Sequence, residues 1–318
     1  MRCLSIARAF SEQGDDVLFV TADHRGDELI RSANFKSTCL DGEWTLMESE
    51  IPRIEALIDE YEPYLVLVDS YFVTEKYLHN INKMVPVAYI DDINESCWDV
   101  KYLINYNIFG KTIGYSRYDD CDTELILGPK YAPLRDEFVN MPHHIVRQCV
   151  SDILVSAGGA DPERITERVI HDVCPKFPDS RFHFTVGVLN PRIEAIKRLE
   201  RGNVILHINE QHMARLMRSC DISISAAGST LYELCAAGVP TITYILADNQ
   251  RMAAEQFEVQ GIMLNAGDCR NDVHFLSRLN VMLARLINDI ELRMLQTKRM
   301  QSLVDGFGAR RIVEAMRE

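Results

Sequence analysis

Apolar runs alternate with helical-period segments along almost the whole chain. VLFVTAD, YLVLVDS, VPVAYIDD and KYLINYN read as strands in the first half. SDILVSAGG, RFHFTVG, NVILHIN, DISISAA, TITYIL and IMLNAG read as strands in the second. Between most of them lie segments such as IPRIEALIDEYEP, ERITERVIHDVCPKF, PRIEAIKRLERG and EQHMARLMRSC, with apolar residues at helical spacing. That alternation predicts βαβ units, hence an α/β fold of mainly parallel sheets covered by helices on both faces. The rhythm loosens between residues 110 and 150, around RDEFVNMPHHIVRQ, which places a domain boundary near residue 147. Two Rossmann-like halves are expected, 1–147 and 148–318, the second ending in a helical stretch from Asn271 onward.

The opening MRCLSIARAF is itself helical, with Met1, Leu4, Ala7 and Phe10 on one face and no capping residue ahead of them. In open α/β sheets, ligands bind beyond the carboxyl ends of the strands. With two such domains the cleft between them is the expected site, so chemistry should sit on loops that follow strands.

Composition narrows the classes. The 318 residues are 47% apolar and 25% charged, as in globular proteins. A net charge of -13 argues against a nucleic-acid partner, because no basic face would neutralise phosphates. The nine cysteines include no C-x-x-C pair, so neither a disulfide framework nor a zinc site is expected, and reduced thiols in a cytoplasmic protein are. No apolar run is long enough to span a membrane and no signal peptide is visible. Oligomeric state is open at this level.

The most informative stretch is DISISAAGSTLYELCAAGVPTITYILADNQ, which reads as strand, glycine turn, helix, glycine stop, strand and polar loop. Gly228 permits a tight turn, and Ser229 and Thr230 fall at a helix start, where free N–H groups and the dipole favour phosphate. Glu233 lies a turn further in, where its carboxylate would accept both hydroxyls of a ribose. Thr230-Leu-Tyr-Glu233 also fits a capping box, and both readings stand. Gly238 followed by Pro240 reads as a helix stop. After the next strand, Asp248 reads as an N-cap, and Asn249 and Gln250 offer neutral donors and acceptors suited to sugar hydroxyls. Gly158 and Gly159 form a second glycine turn, and Asp161-Pro162 reads as a helix start. Asp91 and Asp92 alternate across a strand end, where one of them could face the cleft; a solvated strand end is expected, and no shared metal. His24 reads as a surface-loop histidine, and no metal or other cofactor is expected.

Together, ILVSAGGADP, ISAAGSTLYELCAAGVPTITYILADNQ, LVDSYFVT, AYIDD and ELILGPKYAPLRDEF resemble the UDP-sugar hydrolases of the pseudaminic acid pathway. Those enzymes remove UDP from a diacetamido-trideoxy sugar. Spore-coat polysaccharide proteins are similar, and both look like two-domain GT-B glycosyltransferases of the MurG type. The resemblance implies that Gly228, Ser229 and Thr230 face the diphosphate and that Glu233 binds ribose. It also implies active-site roles for Asn249, its neighbour Gln250 and Tyr71, and a cleft-facing turn at Gly158 and Gly159. Ala227 stands where a glycine is common.

Arg2-Cys3-Leu4 matches the end of the family's G-x-G-H-x-x-R-C-L turn, which places Arg2 at the rim of the site. The glycines, the histidine that activates water and the first strand of that domain would lie upstream of Met1. The implied reaction needs no metal: water attacks the anomeric carbon, the histidine takes its proton and UDP leaves. The expected function is thus a nucleotide-sugar hydrolase of bacterial surface-polysaccharide or flagellin-glycan biosynthesis. A GT-B glycosyltransferase and an inert UDP-sugar binding protein are the alternatives.

Overall fold

All the strand runs read from the sequence form strands in the computed structural model, which describes residues 1–317, and every strand pairing in it is parallel. The chain divides into two units. The first is Met1–Arg135 with the segment from Phe307 onward, and the second is Asp136–Gly306. The crossing at 135/136 lies ahead of residue 147, and the chain returns to the first unit at 306/307.

In the first unit the order is α1 (Arg2–Glu12), β1 (Leu18–Thr21), α2 (Asp27–Ser32), β2 (Lys36–Cys39), α3 (Ile51–Tyr61) and β3 (Val66–Val68). There follow α4 (Glu75–Asn82), β4 (Val87–Ile90), β5 (Tyr102–Asn105) and β6 (Glu124–Leu127). The strands form two sheets, β1-β2 and β3-β4-β5-β6. β2 (KSTC) carries little apolar pattern, and β6 (ELIL) is a short apolar run; both lie at sheet edges with exposed positions, and periodicity does not single them out. β4 and β5 are buried throughout, and their side chains meet α3 and α4 through Ile54, Ile58, Leu78 and Ile81. Met1 stands at the cap position of α1 and provides no side-chain bond, as the sequence anticipates.

The second unit runs β7 (Asp152–Ser156), α5 (Ile165–Asp172), β8 (Arg181–Val186), α6 (Ile193–Lys197), β9 (Val204–Ile208), α7 (Met213–Ser219) and β10 (Ile222–Ala226). It continues with α8 (Thr230–Ala237), β11 (Thr241–Ile245), α9 (Arg251–Val259), β12 (Leu264–Asp268), α10 (Phe275–Asn288) and α11 (Ile290–Leu303). The last helix, α12 (Gly308–Ala315), belongs to the first unit, where Arg310 pairs with Glu12 of α1. One six-stranded sheet, in the order β12-β11-β10-β7-β8-β9, forms the core of the second unit. β7, β10 and β11 are buried at every position, the state expected of parallel strands sandwiched between helices.

Candidate functional site

The six-stranded sheet reverses its winding between two neighbours. From β7 the chain winds outward through β8 to β9, then returns to β10 and winds the other way through β11 to β12. The switch point therefore lies between β7 and β10, and the crevice beyond the carboxyl ends there is where such sheets take ligands. Both glycine turns of the sequence sit at those two ends: Gly158-Gly159 after β7 and Gly228 after β10.

At the β10 end, Gly228 and Ser229 carbonyls accept from the Leu231 and Tyr232 amides at 3.0 and 3.1 Å. The Ser229 and Thr230 amides are then the donors of the helix start that no hydrogen bond among the described residues takes up. Ser229 is exposed at the cap position, and its side chain makes no capping bond. With Ser229 as the cap, Glu233 falls one residue beyond the position a capping box requires. Thr230 is not the cap, so the structural account of Glu233 as the partner in a Thr230 capping box is not realised. Gly238 does end the helix as read, in the left-handed conformation at φ 72°.

Gln250 brings the loop after β11 beside this turn. Its Oε1 accepts from the Leu246 amide at 2.9 Å, and its Nε2 lies 3.8 Å from where a Cβ on Gly228 would stand. Asn249 beside it is exposed. Asp248 does not cap the turn; Ala247 occupies that position, and the Asp248 carboxylate takes a hydrogen bond from Arg270 at 2.5 Å. That contact holds the Asp248 carboxyl below its ordinary range.

At the β7 end, a Cβ on either Gly158 or Gly159 would meet nothing, so the turn presents bare backbone to open space. Behind it, a Cβ on Gly187 would stand 2.7 Å from the Gly159 Cα, so glycine is required where β8 ends. Asp161-Pro162 does not open the next helix. α5 starts at Ile165 after Arg164 in the left-handed region, and Asp161 reaches forward to cap it, accepting from the Ile165 and Thr166 amides at 2.7 and 3.0 Å. Burial raises the Asp161 carboxyl against the pull of those bonds.

The first unit holds a second cluster, built around Arg2. Its Nε and Nη2 donate to the two oxygens of Asp69 at 2.8 and 2.5 Å. Nη1 donates to Asp92 at 2.8 Å and to the Tyr106 hydroxyl at 2.9 Å. Tyr71 donates to the same Asp92 at 2.8 Å, and Asn107 donates to it at 3.0 Å. Burial works against the Arg2 cation, but the Asp69 hydrogen bond and the charges around it raise its pKa well above the ordinary value. Burial likewise opposes the Asp69 charge, yet Arg2 holds that carboxyl below its usual range. Burial pushes the Tyr106 phenol up to about 12.

Asp91 and Asp92 are not a solvated strand end. Asp91 is fully buried and accepts from the Ile93 and Asn94 amides and the Tyr115 hydroxyl, whereas Asp92 joins the Arg2 cluster. Asp69, Asp92 and Tyr106 follow three adjacent strands, β3, β4 and β5, directly or after one residue. A polar residue closing each of three neighbouring strands was the available signal, and single-motif reading passed over it.

No family model matches the chain. Over 209 residues it is 28% identical to SpsG, a spore coat polysaccharide biosynthesis protein of Bacillus subtilis, covering 64% of this chain and 59% of that one. Over 88 residues it is 36% identical to a protein of Helicobacter pylori described as pseudaminic acid cytidylyltransferase and UDP-2,4-diacetamido-2,4,6-trideoxy-beta-L-altropyranose hydrolase. That match covers 22% of this chain and 17% of the Helicobacter protein. The chain thus spans less than two thirds of the length of these curated relatives. Among solved structures it superposes on MurG of Acinetobacter baumannii with a TM-score of 0.71, at 14% identity over 99% of this chain and 95% of that one. It has a GT-B fold. A co-structure of Staphylococcus aureus MnaA with UDP is also similar, with a TM-score of 0.67 at 14% identity, covering 99% of this chain and 92% of that one. The GT-B likeness extends through both units, and relatives in polysaccharide biosynthesis match parts of the chain. No helix among the described residues is long and apolar enough to cross a membrane.

Proposed function

We propose that the chain is a UDP-sugar hydrolase of bacterial surface-polysaccharide or flagellin-glycan biosynthesis. The observation that carries the nucleotide half of this reading is the pair of glycine turns at the switch point, with the Ser229 and Thr230 amides at the start of α8. Those amides and the helix dipole suit a diphosphate, and they stabilise the charge that grows on it as the sugar–phosphate bond breaks. Glu233 is assigned the ribose hydroxyls, and Gln250 and Asn249 the neutral contacts beside them. Gly158 and Gly159 let the ligand approach the backbone. In the reaction a water oxygen bonds to the anomeric carbon as the bond from that carbon to the diphosphate breaks, the water releases a proton to solvent, and UDP departs. Tyr71, held by Asp92, and Asn249 are the proposed catalytic contacts to the sugar, and Arg2 fixes the Asp92 carboxylate that holds Tyr71. The partial matches to the Bacillus and Helicobacter proteins support this choice of reaction and pathway.

Calorimetry with UDP tests the nucleotide half. Losing two hydrogen bonds to a charged acceptor should weaken binding about 10–100-fold in Glu233→Ala. No binding of UDP to wild type overturns the reading. UDP release from a UDP-linked diacetamido-trideoxy sugar, with water as the only acceptor, tests the hydrolase half; release that requires an added sugar or lipid acceptor identifies a glycosyltransferase instead.

A further inference from the structure

At the carboxyl ends of β1 and β2, three side chains from separate turns converge. His24 follows β1, Cys39 is the last residue of β2, and Asp41 lies two residues further on. Their ligating atoms, imidazole Nε2, thiol Sγ and a carboxylate oxygen, all lie within 4.8 Å of one another. His24 Nε2 is 3.1 Å from Asp41 Oδ1, and Cys39 Sγ is 3.5 Å from the same oxygen. A tetrahedral zinc ion with bonds of about 2.0–2.3 Å separates its ligand atoms by roughly 3.3–3.8 Å. The two separations to Asp41 Oδ1 are close to that scale, and the third lies within 4.8 Å.

Its supports are those of a metal site as well. The other imidazole nitrogen, Nδ1, meets Asp27 Oδ2 at 2.7 Å. A carboxylate on the ring nitrogen that faces away from the cluster orients the imidazole, a common support for metal-bound histidines. The Asp41 amide donates to Cys39 Sγ at 3.4 Å, which fixes the sulfur within the turn. Backbone bonds from Leu40 to Thr21 and from Gly42 to Ala22, each 2.8 Å, pin the turn carrying Cys39 and Asp41 against the end of β1. Asp41 adopts the left-handed conformation, φ 47°, within that turn. The neighbouring cation is engaged elsewhere: Arg25 pairs with Asp23 and lies over the Trp44 ring.

From this geometry we infer that His24, Cys39 and Asp41 form a binding site for a zinc-class divalent cation, with solvent at the fourth position. Thiolate, imidazole and carboxylate together select zinc or cobalt over magnesium and calcium, which take oxygen ligands. His24 and Asp41 are exposed, which keeps the fourth position open. Binding is coordination without redox change: the Cys39 thiol gives its proton to the buffer as the Sγ–metal bond forms. The site stands apart from the nucleotide reading, and neither depends on the other. It was not visible to sequence spacing, because the histidine precedes the C-x-D pair by a loop, a helix and a strand.

Cobalt(II) titration of the untagged full chain tests the site. One equivalent of cobalt should produce a thiolate-to-cobalt charge-transfer band, and added zinc should abolish it. His24→Ala and Cys39→Ser should each remove the band, with circular dichroism confirming that both variants fold. Asp27→Asn should keep the band and weaken cobalt affinity about 10–100-fold. No band in wild type, or a band that survives both His24→Ala and Cys39→Ser, overturns the assignment and leaves His24 as a surface ion pair.

Discussion

Arg2 commits its guanidinium to two carboxylates and a phenol, and in doing so it joins Asp69 and Asp92 through one shared cation. Replacing it with methionine would leave both carboxylates partly buried without their cation. Removal of one partner from such a cluster costs about 3–5 kcal/mol, which urea denaturation should register. The pH dependence has a defined sign. The folded pKa of Asp69 lies below its ordinary value, so its contribution to stability is complete above the unfolded pKa, near pH 4, and is lost as pH falls through the folded value. Asp69→Asn should therefore flatten the loss of stability below about pH 4, measured by circular dichroism across an acid series. Tyr71→Phe removes a hydroxyl held by Asp92 on an exposed residue; it should lower kcat for UDP release while leaving the melting temperature near that of wild type.

At the scale of elements, the site depends on how strands end. Gly187 closes β8 with no room for a side chain, because the Gly159 backbone stands there. Gly187→Ala should cost about 1–3 kcal/mol through overpacking. The same displacement should weaken UDP binding, so a thermal melt and calorimetry on one preparation check both. Local sequence reading reached α8 and its glycine stop but misplaced the cap by one residue, and that shift leaves Glu233 outside the capping-box position. It also assigned Asp248 to a cap when Arg270, beyond β12 in the chain, holds its carboxylate. Caps are chosen by competing partners, and a distant arginine is invisible in a local window.

Across the whole molecule, burial grades stability. β7, β10 and β11 are buried at every position and flanked by paired strands, whereas β1 and β2 form a sheet of two with exposed positions. Hydrogen exchange should therefore be slowest in β7, β10 and β11 and markedly faster in β1 and β2, as mass spectrometry of peptic peptides would show. Zinc should slow exchange in β1 and β2 alone if the His24 site forms.

The parallel α/β character and the placement of the glycine turns after strands were determined by the sequence by itself. Hydrophobic period and glycine act within a few residues, so they are legible along the chain. Strand order, and with it the switch point between β7 and β10, was decided only by the tertiary structure. So was the meeting of Arg2 with Asp69, Asp92 and Tyr106, and of His24 with Cys39 and Asp41. Each of these joins residues far apart in the chain, and periodicity says which face of a strand is buried, not which strand lies beside it.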